Sequence, residues 1–273
     1  MRKPIVVGVD GSQVARTAIA WAADVARVRN APLSMVHAVA SGVVTGESDR
    51  WVQALAIAAE AGVEEVQVRD VPGAPVEVVL AAACDAAMLV VGSRGSGAGS
   101  GLMAGFTGLS LVRSARCPVA VIPDRGASPA RSSRGPVVVG FVPEPGGRVA
   151  VELAAELAAT WGVRLCVVHA LPGRGQDVRG SERHVRGLLE DLVAALATRF
   201  PALPVERRVM SDTPLRSLLA AADTAGAVVV GQRAHATGNG VVGSTSRSVI
   251  EFGSCPVVVA PLMTAVPEDS LRR

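Results

Sequence analysis

Glycines cluster after a buried strand in a pattern that suits the binding of a phosphate group. The apolar run Met88–Val91 is typical of a buried strand, and seven glycines follow it between Gly92 and Gly108. A short helical pattern, Thr107–Ser114, comes next. Glycines let backbone N–H groups approach an anion, and a helix start supplies unpaired donors and a partial positive charge. The stretch therefore predicts a phosphate-binding loop.

An acidic residue, Asp10, follows the first apolar run of the chain. In an open parallel sheet, ligands bind beyond the carboxyl ends of the strands at the switch point, where we expect Asp10 to meet Gly92. Two plainer interpretations stay open. Asp10 could serve only to turn the chain in an Asp-Gly-Ser sequence capped by Ser12, and the glycines could form an ordinary surface loop.

Strand and helix patterns alternate through the first half of the chain, as in a parallel sheet covered by helices. The predicted elements are strand Lys3–Val9, helix Val14–Ala26, strand Leu33–Val39, a helix ending near Gly62, strand Val63–Val71, helix Val76–Ala86, strand Met88–Val91, helix Thr107–Ser114 and strand Pro118–Pro123.

The second half repeats the first, including the glycine stretch, which returns at Val229–Pro256. Val7-Gly8 matches Val139-Gly140 at an offset of 132 residues, and Gly92 matches Gly231 at an offset of 139. We therefore predict domains at 1–124 and 136–262, a Ser- and Arg-rich linker at 125–135 and a tail at 263–273. The predicted fold is α/β, with two tandem Rossmann-like domains, each a five-stranded parallel sheet with helices on both faces.

Composition restricts the classes of partner. The formal net charge is only +3, and no basic run interleaves with aromatic residues, so nucleic-acid binding is not expected. No apolar run reaches the roughly 20 residues of a membrane span, and a strand starts within four residues of Met1. We expect a cytoplasmic protein without a metal centre, whose four cysteines are reduced core thiols.

These pieces together resemble the universal stress protein family in its tandem two-domain form. The resemblance rests on VVGVDGS at the start, VHAV at the second strand, CPVAVIP closing the first copy and GSTSRSVIEFGSCPVVVA in the second. It implies an adenine nucleotide alpha hydrolase-like fold and a non-catalytic stress-response regulator that binds ATP, with Mg²⁺ as a companion ion. It also implies pairing of the last strands, Val119–Ile122 and Val257–Ala260, within one chain or in a homodimer, and an unidentified protein partner.

The first copy keeps the spacing of the family's ATP motif, G-x2-G-x9-G-[ST]. Gly92, Gly95 and Gly105 stand at that spacing, and the resemblance assigns Asp10 to the ribose and adenine side. Phe106, however, takes the place of the motif's hydroxyl residue, although Thr107 follows it. The other candidate binding residues of this copy are Gly8, Val9, Ala38, Val91 and Arg94.

The second copy departs from the motif differently. Gly231 and Gly243 match it, and Ser244 and Thr245 keep the hydroxyl-rich helix start, so these four are also candidate binding residues. Ala234 replaces the second glycine, the loop is one residue shorter, and Val142 stands at the acidic position. We therefore expect ATP to bind mainly through the first domain. The alternative is a nucleotide-free interaction module in which both sites have decayed.

No catalytic set is evident in the sequence. The P-loop pattern GxxxxGK[ST], a GxSxG elbow and an HExxH helix are all missing. His37 and His169 recur at the second strand of each copy, where packing at the strand end is favoured over catalysis. Trp21 and Trp161 suit a core or an interface, and Arg94 could bind a phosphate or remain solvated.

Overall fold

A computed structural model of the chain describes residues 2–40, 49–95, 106–124, 135–171, 178–234 and 240–262, with backbone only at 106–107, 178–181, 234 and 240. The linker and the tail predicted above lie almost wholly outside these residues. The first domain comprises β1 (Ile5–Gly8), α1 (Gln13–Arg29), β2 (Leu33–Val39), α2 (Asp49–Glu60), β3 (Val66–Pro72), α3 (Pro75–Ala82), β4 (Met88–Gly92), α4 (Phe106–Ser114) and β5 (Val119–Ile122).

The second domain repeats this order and contains a short hairpin after its fourth strand. It comprises β6 (Val137–Gly140), α5 (Pro145–Trp161), β7 (Leu165–Ala170), α6 (Val178–Arg199), β8 (Val205–Met210), α7 (Pro214–Ala222), β9 (Ala227–Gly231), β10 (Arg233–Ala234), β11 (Gly240–Val241), α8 (Ser244–Phe252) and β12 (Val257–Ala260).

Each domain contains a five-stranded parallel sheet, which confirms the predicted fold class. The strand order is β3-β2-β1-β4-β5 in the first domain and β8-β7-β6-β9-β12 in the second. The chain leaves β1 toward β2 on one side and later returns to β4 on the other side. A switch point therefore lies between β1 and β4, and another lies between β6 and β9.

The last strands of the two domains join the sheets into one sheet of ten strands. β5 pairs with β12 in the antiparallel direction, with Val121 opposite Val257 and Val119 opposite Val259. All residues of both strands are buried. The pairing expected from the resemblance is thus present within one chain, and it covers two apolar strands that would otherwise be exposed edges.

Helices cover both faces of this sheet because nearly every residue of the central strands is apolar. Ile5 and Val7 belong to the core beneath α1, α2, α5 and α6, whereas Val6 belongs to the core beneath α3, α4, α7 and α8. Each of these two cores contains residues of both domains. Trp21 of α1 meets Trp161 of α5 edge to face, with ring centroids 5.9 Å apart, which confirms that these residues belong to the core and domain interface.

Some element ends differ from the sequence prediction because tertiary hydrogen bonds set them. The helix expected over Val76–Ala86 runs only from Pro75 to Ala82. Its last turn tightens, since the N–H of Ala83 donates to the carbonyls of both Val79 and Leu80. The chain then turns, and the N–H of Ala87 donates to the carbonyl of Pro4 beside β1.

The cysteines do not all lie in the core as expected, because Cys84 is exposed. Burial raises the pKa of the Cys117 and Cys166 thiols, and it raises that of Cys255 from 9.0 to about 12. Because the thiolate is the reactive form, we expect Ellman's reagent at pH 8 to modify Cys84 in the native protein and the other three only after unfolding. Rapid native modification of Cys255 would contradict this arrangement.

The same burial makes stability depend on alkaline pH. The folded protein keeps the Cys255 proton up to a pKa of about 12, whereas the unfolded chain releases it near 9.0. The unfolded state therefore binds fewer protons between these pH values, and this thiol makes the free energy of unfolding fall as the pH rises through that window.

Candidate functional site

A tight turn at the end of β1 fixes the position of Asp10. Oδ1 of Asp10 accepts a hydrogen bond from the N–H of Ser12 at 3.0 Å. The hydroxyl of Ser12 in turn caps α1 by accepting from the N–H of Ala15 at 3.1 Å. Gly11 between them has φ +81°, a conformation that favours glycine. The turning role considered for Asp10 is therefore real, and it involves one carboxylate oxygen.

The other carboxylate oxygen of Asp10 faces the glycine loop. A Cβ atom added to Gly95 would lie 2.9 Å from Oδ2 of Asp10. A Cβ atom added to Gly92 would lie 2.7 Å from Cγ1 of Val14 in α1. β4 lies beside β1 in the sheet, so the two motifs meet at the carboxyl ends of their strands, as the strand order leads us to expect.

A cavity of about 350 Å³ opens where these motifs meet, within the usual range of small-molecule sites. The cavity is lined by every candidate residue of the first domain that precedes the undescribed part of the glycine loop. Its walls are formed by Gly8, Val9, Asp10, Ala15, Val36, His37, Ala38, Pro75, Val79, Val91, Gly92, Ser93, Arg94, Gly95, Gly108 and Leu111.

The phosphate side of the cavity is only partly described. Gly105 lies outside the described residues, and Phe106 and Thr107 are described by backbone alone. The backbone shows that α4 begins at Phe106, and that Gly108 and Leu111 of this helix line the cavity. A helix start therefore faces the space beside Gly92 and Gly95, as the phosphate-binding interpretation requires.

Arg94 has a partner on the protein surface. Its guanidinium lies 3.3 Å from the carboxylate of Asp124, and both side chains are about half exposed. An exposed pair of this kind contributes little to stability. Arg94 also lines the cavity, so the pairing holds it at the rim.

His37 and His169 hold strand ends together. Nδ1 of His37 lies 2.6 Å from the carbonyl oxygen of Val9, and Nδ1 of His169 lies 2.9 Å from that of Phe141. A carbonyl can only accept, so Nδ1 carries the proton in both rings. The same bond forms in both domains, including the one without the acidic residue, which confirms a role at the strand end.

Sequence reasoning missed the apolar wall of the cavity. Pro75 and Val79 of α3 and Leu111 of α4 line it together with Ala15 and Val36. The available signal was the position of Pro75 in the first turn of a helix that follows the exposed strand β3. An apolar wall of this kind can hold the flat face of a base while the polar rim holds phosphate and sugar.

The corresponding site of the second domain is largely filled by the protein itself. A Cβ atom added to Gly146 would lie 1.9 Å from the carbonyl oxygen of Gln232, and one added to Gly231 would lie 2.2 Å from that of Gly146. The start of α5 therefore presses on the end of β9. The cavity there measures only about 100 Å³, and Val142 lines it in place of an acid.

The described ends of the loop after β9 pair with each other. Arg233 and Ala234 pair with Val241 and Gly240 as a short antiparallel hairpin. Of the four candidate residues in this domain, Gly231, Gly243 and Thr245 line the small cavity. Ser244 is exposed and is not among the lining residues. The two cavities thus differ in size and lining, whereas the sequence distinguished the two domains only by their departures from the motif.

A larger cavity, of about 1150 Å³, lies at the opposite, amino-terminal end of the first domain's strands. It is lined by charges of both signs, including Lys3, Arg27, Glu64 and Asp85, and it contains none of the candidate binding residues. The candidate site is therefore the cavity at the carboxyl ends of the strands. Within the described ranges, no helix is long and apolar enough to cross a membrane, and no three His, Cys, Asp or Glu residues come together as a metal site.

Comparison with known proteins agrees with this repeated architecture. The model of the Universal stress protein family matches the sequence twice, over residues 1–123 and 134–261. The chain belongs to the universal stress protein family. Universal stress protein Rv2623 of Mycobacterium tuberculosis is 31% identical to it, and the match covers 94% of this chain and 95% of that protein.

Further members of the family show the same two-domain length. Universal stress protein Rv1996 of Mycobacterium tuberculosis is 33% identical, over 97% of this chain and 96% of its own. The crystal structure of a universal stress protein from Archaeoglobus fulgidus has a TM-score of 0.68 at 17% identity, covering 94% of this chain and 98% of that one. That similarity shows a shared fold.

Proposed function

We propose that this universal stress protein binds an adenine nucleotide, ATP in the first instance, in its first domain, and that it acts as a regulator. The observation that carries the proposal is the approach of Gly95 to Oδ2 of Asp10 at the mouth of the 350 Å³ cavity. It brings an acidic group suited to ribose hydroxyls next to a backbone suited to phosphates.

The residues of the first domain fit such a ligand. The backbone of Gly92 and Gly95 and the start of α4 would face the phosphates, because both glycines and Gly108 of α4 line the cavity. Asp10 would accept hydrogen bonds from the ribose, and Val9 and Ala38 would border the base at the ends of β1 and β2. Mg²⁺ would enter with the phosphates and neutralise part of their charge.

The second domain is not expected to bind a nucleotide itself. Its small cavity and the valine at position 142 both oppose a bound nucleotide there. A regulatory role is proposed because the sequence offers no P-loop lysine or other recognisable catalytic set. Nucleotide occupancy would then change the surface that a protein partner meets.

Calorimetric titration with ATP and Mg²⁺ tests the proposal. We expect one nucleotide per chain, and we expect Gly95→Ala to weaken binding because the new Cβ displaces the carboxylate of Asp10. Gly187→Ala is the matched control, since nothing lies within 4 Å of the added atom. No binding at millimolar ATP would contradict the proposal and favour the nucleotide-free interaction module. Two nucleotides per chain would contradict its restriction to the first domain.

A further inference from the structure

Gln232 links the second domain to the helix that borders the nucleotide site of the first. It directly follows β9, is 5% exposed and lines the small cavity of its own domain. Its Nε2 donates to the carbonyl oxygen of Val112 in α4 at 2.7 Å. This hydrogen bond crosses the domain interface and joins residues 120 positions apart in the chain.

The other polar groups of Gln232 are fixed as well. Its Oε1 accepts from the N–H of Leu262 at 3.0 Å, and its backbone N–H donates to the carbonyl of Ala260 at 3.1 Å. One amide end thus meets a carbonyl and the other meets an N–H, so the orientation of the amide is determined. The side chain acts as a short, rigid bridge.

The carbonyl that Gln232 holds belongs to the last turn of α4. Carbonyls in a last turn lack N–H partners within the helix, and a buried one needs a donor from elsewhere. The N–H of Ala115 already donates to Leu111. The bond from Gln232 therefore fixes the carboxyl-terminal turn of a helix whose earlier residues, Gly108 and Leu111, line the first cavity.

Among the described residues, the first domain shows no equivalent bridge. Ser93 occupies the same place after β4, and its backbone N–H donates to Ile122 as that of Gln232 donates to Ala260. A serine side chain is far shorter than that of glutamine, and it lines the cavity of its own domain. The contact therefore runs from the loop of the second domain to the helix of the first.

We propose that Gln232 is a positioning residue for the nucleotide site of the first domain, an inference that rests on the proposed function. By holding the carboxyl-terminal turn of α4, it sets where the other end of this nine-residue helix meets the phosphates. The second domain, whose own site is filled, thereby tunes the affinity of the first. The base and ribose side, at β1 and β2, lies outside its reach.

Titrations of Gln232→Leu and Gln232→Met test this role. We expect the Kd of ATP to rise by about threefold to tenfold, the effect of one misplaced hydrogen-bonding group. The Kd of adenosine, measured by competition, should stay within twofold of wild type because adenosine has no phosphate to meet α4. Ser217→Ala is the control: its hydroxyl is buried in α7 without a hydrogen-bond partner among the described residues, so both Kd values should remain unchanged.

Several results would overturn the inference. An ATP affinity within twofold of wild type in a folded Gln232 variant would do so, as would an equal weakening of ATP binding and adenosine binding.

Hydrogen exchange tests the bridge in the unaltered protein. We expect ATP to slow exchange both in α4 and at the N–H of Leu262. Slowing in α4 alone would count against the bridge. Wild-type protein that binds neither ligand contradicts the proposed function itself.

Discussion

Gly231→Ala should lower the free energy of unfolding by about 3 kcal/mol or more, among the largest effects expected of a single methyl group. The added Cβ would lie 2.2 Å from the carbonyl oxygen of Gly146 and 2.7 Å from its carbonyl carbon. Both contacts are with backbone, so no side-chain rotation can relieve them. α5 cannot easily retreat, because Ala150 and Ala154 are completely buried in the core.

Urea unfolding followed by circular dichroism measures this effect as a lower midpoint at an unchanged slope. Gly187→Ala provides the matched control in α6. Nothing lies within 4 Å of its added Cβ, and alanine is favoured over glycine in a helix by about 0.5–1 kcal/mol, so this variant should gain stability. A Gly231→Ala protein as stable as wild type would show that α5 and β9 do not approach this closely.

Asp10→Ala should raise the Kd of ATP by about tenfold to a hundredfold, since hydrogen bonds to a charged group are worth roughly 1.5–3 kcal/mol. The carboxylate faces Gly95 with Oδ2 while Oδ1 accepts from Ser12. Alanine removes both interactions. Asp10→Asn separates them, because the amide oxygen can still accept from Ser12 and hold the turn.

Calorimetry on both variants and on Asp85→Ala gives the comparison. Asp85 is an exposed acid of the same domain, and it lines the cavity at the opposite end of the strands. We expect its loss to leave ATP affinity within twofold of wild type. If Asp85→Ala and Asp10→Ala weakened binding equally, the effect would be one of overall charge, and the assignment of Asp10 to the ligand would be wrong.

The two domains show how the start of a helix can leave a cavity open or fill it. In the first domain α1 places Val14 against Gly92, and the neighbouring space remains open as a cavity of about 350 Å³. In the second domain two successive glycines, Gly146 and Gly147, let α5 advance onto β9 and leave about 100 Å³. The proposed restriction of nucleotide to the first domain follows from this difference.

The fold could be predicted from the sequence, because the patterns that specify it are local. Strands such as Met88–Val91 are apolar throughout, as expected for a sheet buried on both faces, and the repeat offsets revealed two copies. The meeting of Asp10 with the glycine loop was also predictable, since parallel strands bring their carboxyl ends to one edge. Element ends such as that of α3 were less accurate, because distant hydrogen bonds set them.

How the two copies differ in packing and contact each other is visible in the tertiary structure alone. The advance of α5 onto Gly231 depends on helix placement within a common core, which no local pattern encodes. The bond from Gln232 to Val112 joins residues far apart in the chain and needs the β5–β12 pairing to bring them together. Whether a side chain reaches across the domain interface depends on how the sheet is assembled. The glycine loop was therefore enough to indicate the family, whereas the packing behind it distinguished the open cavity from the filled one.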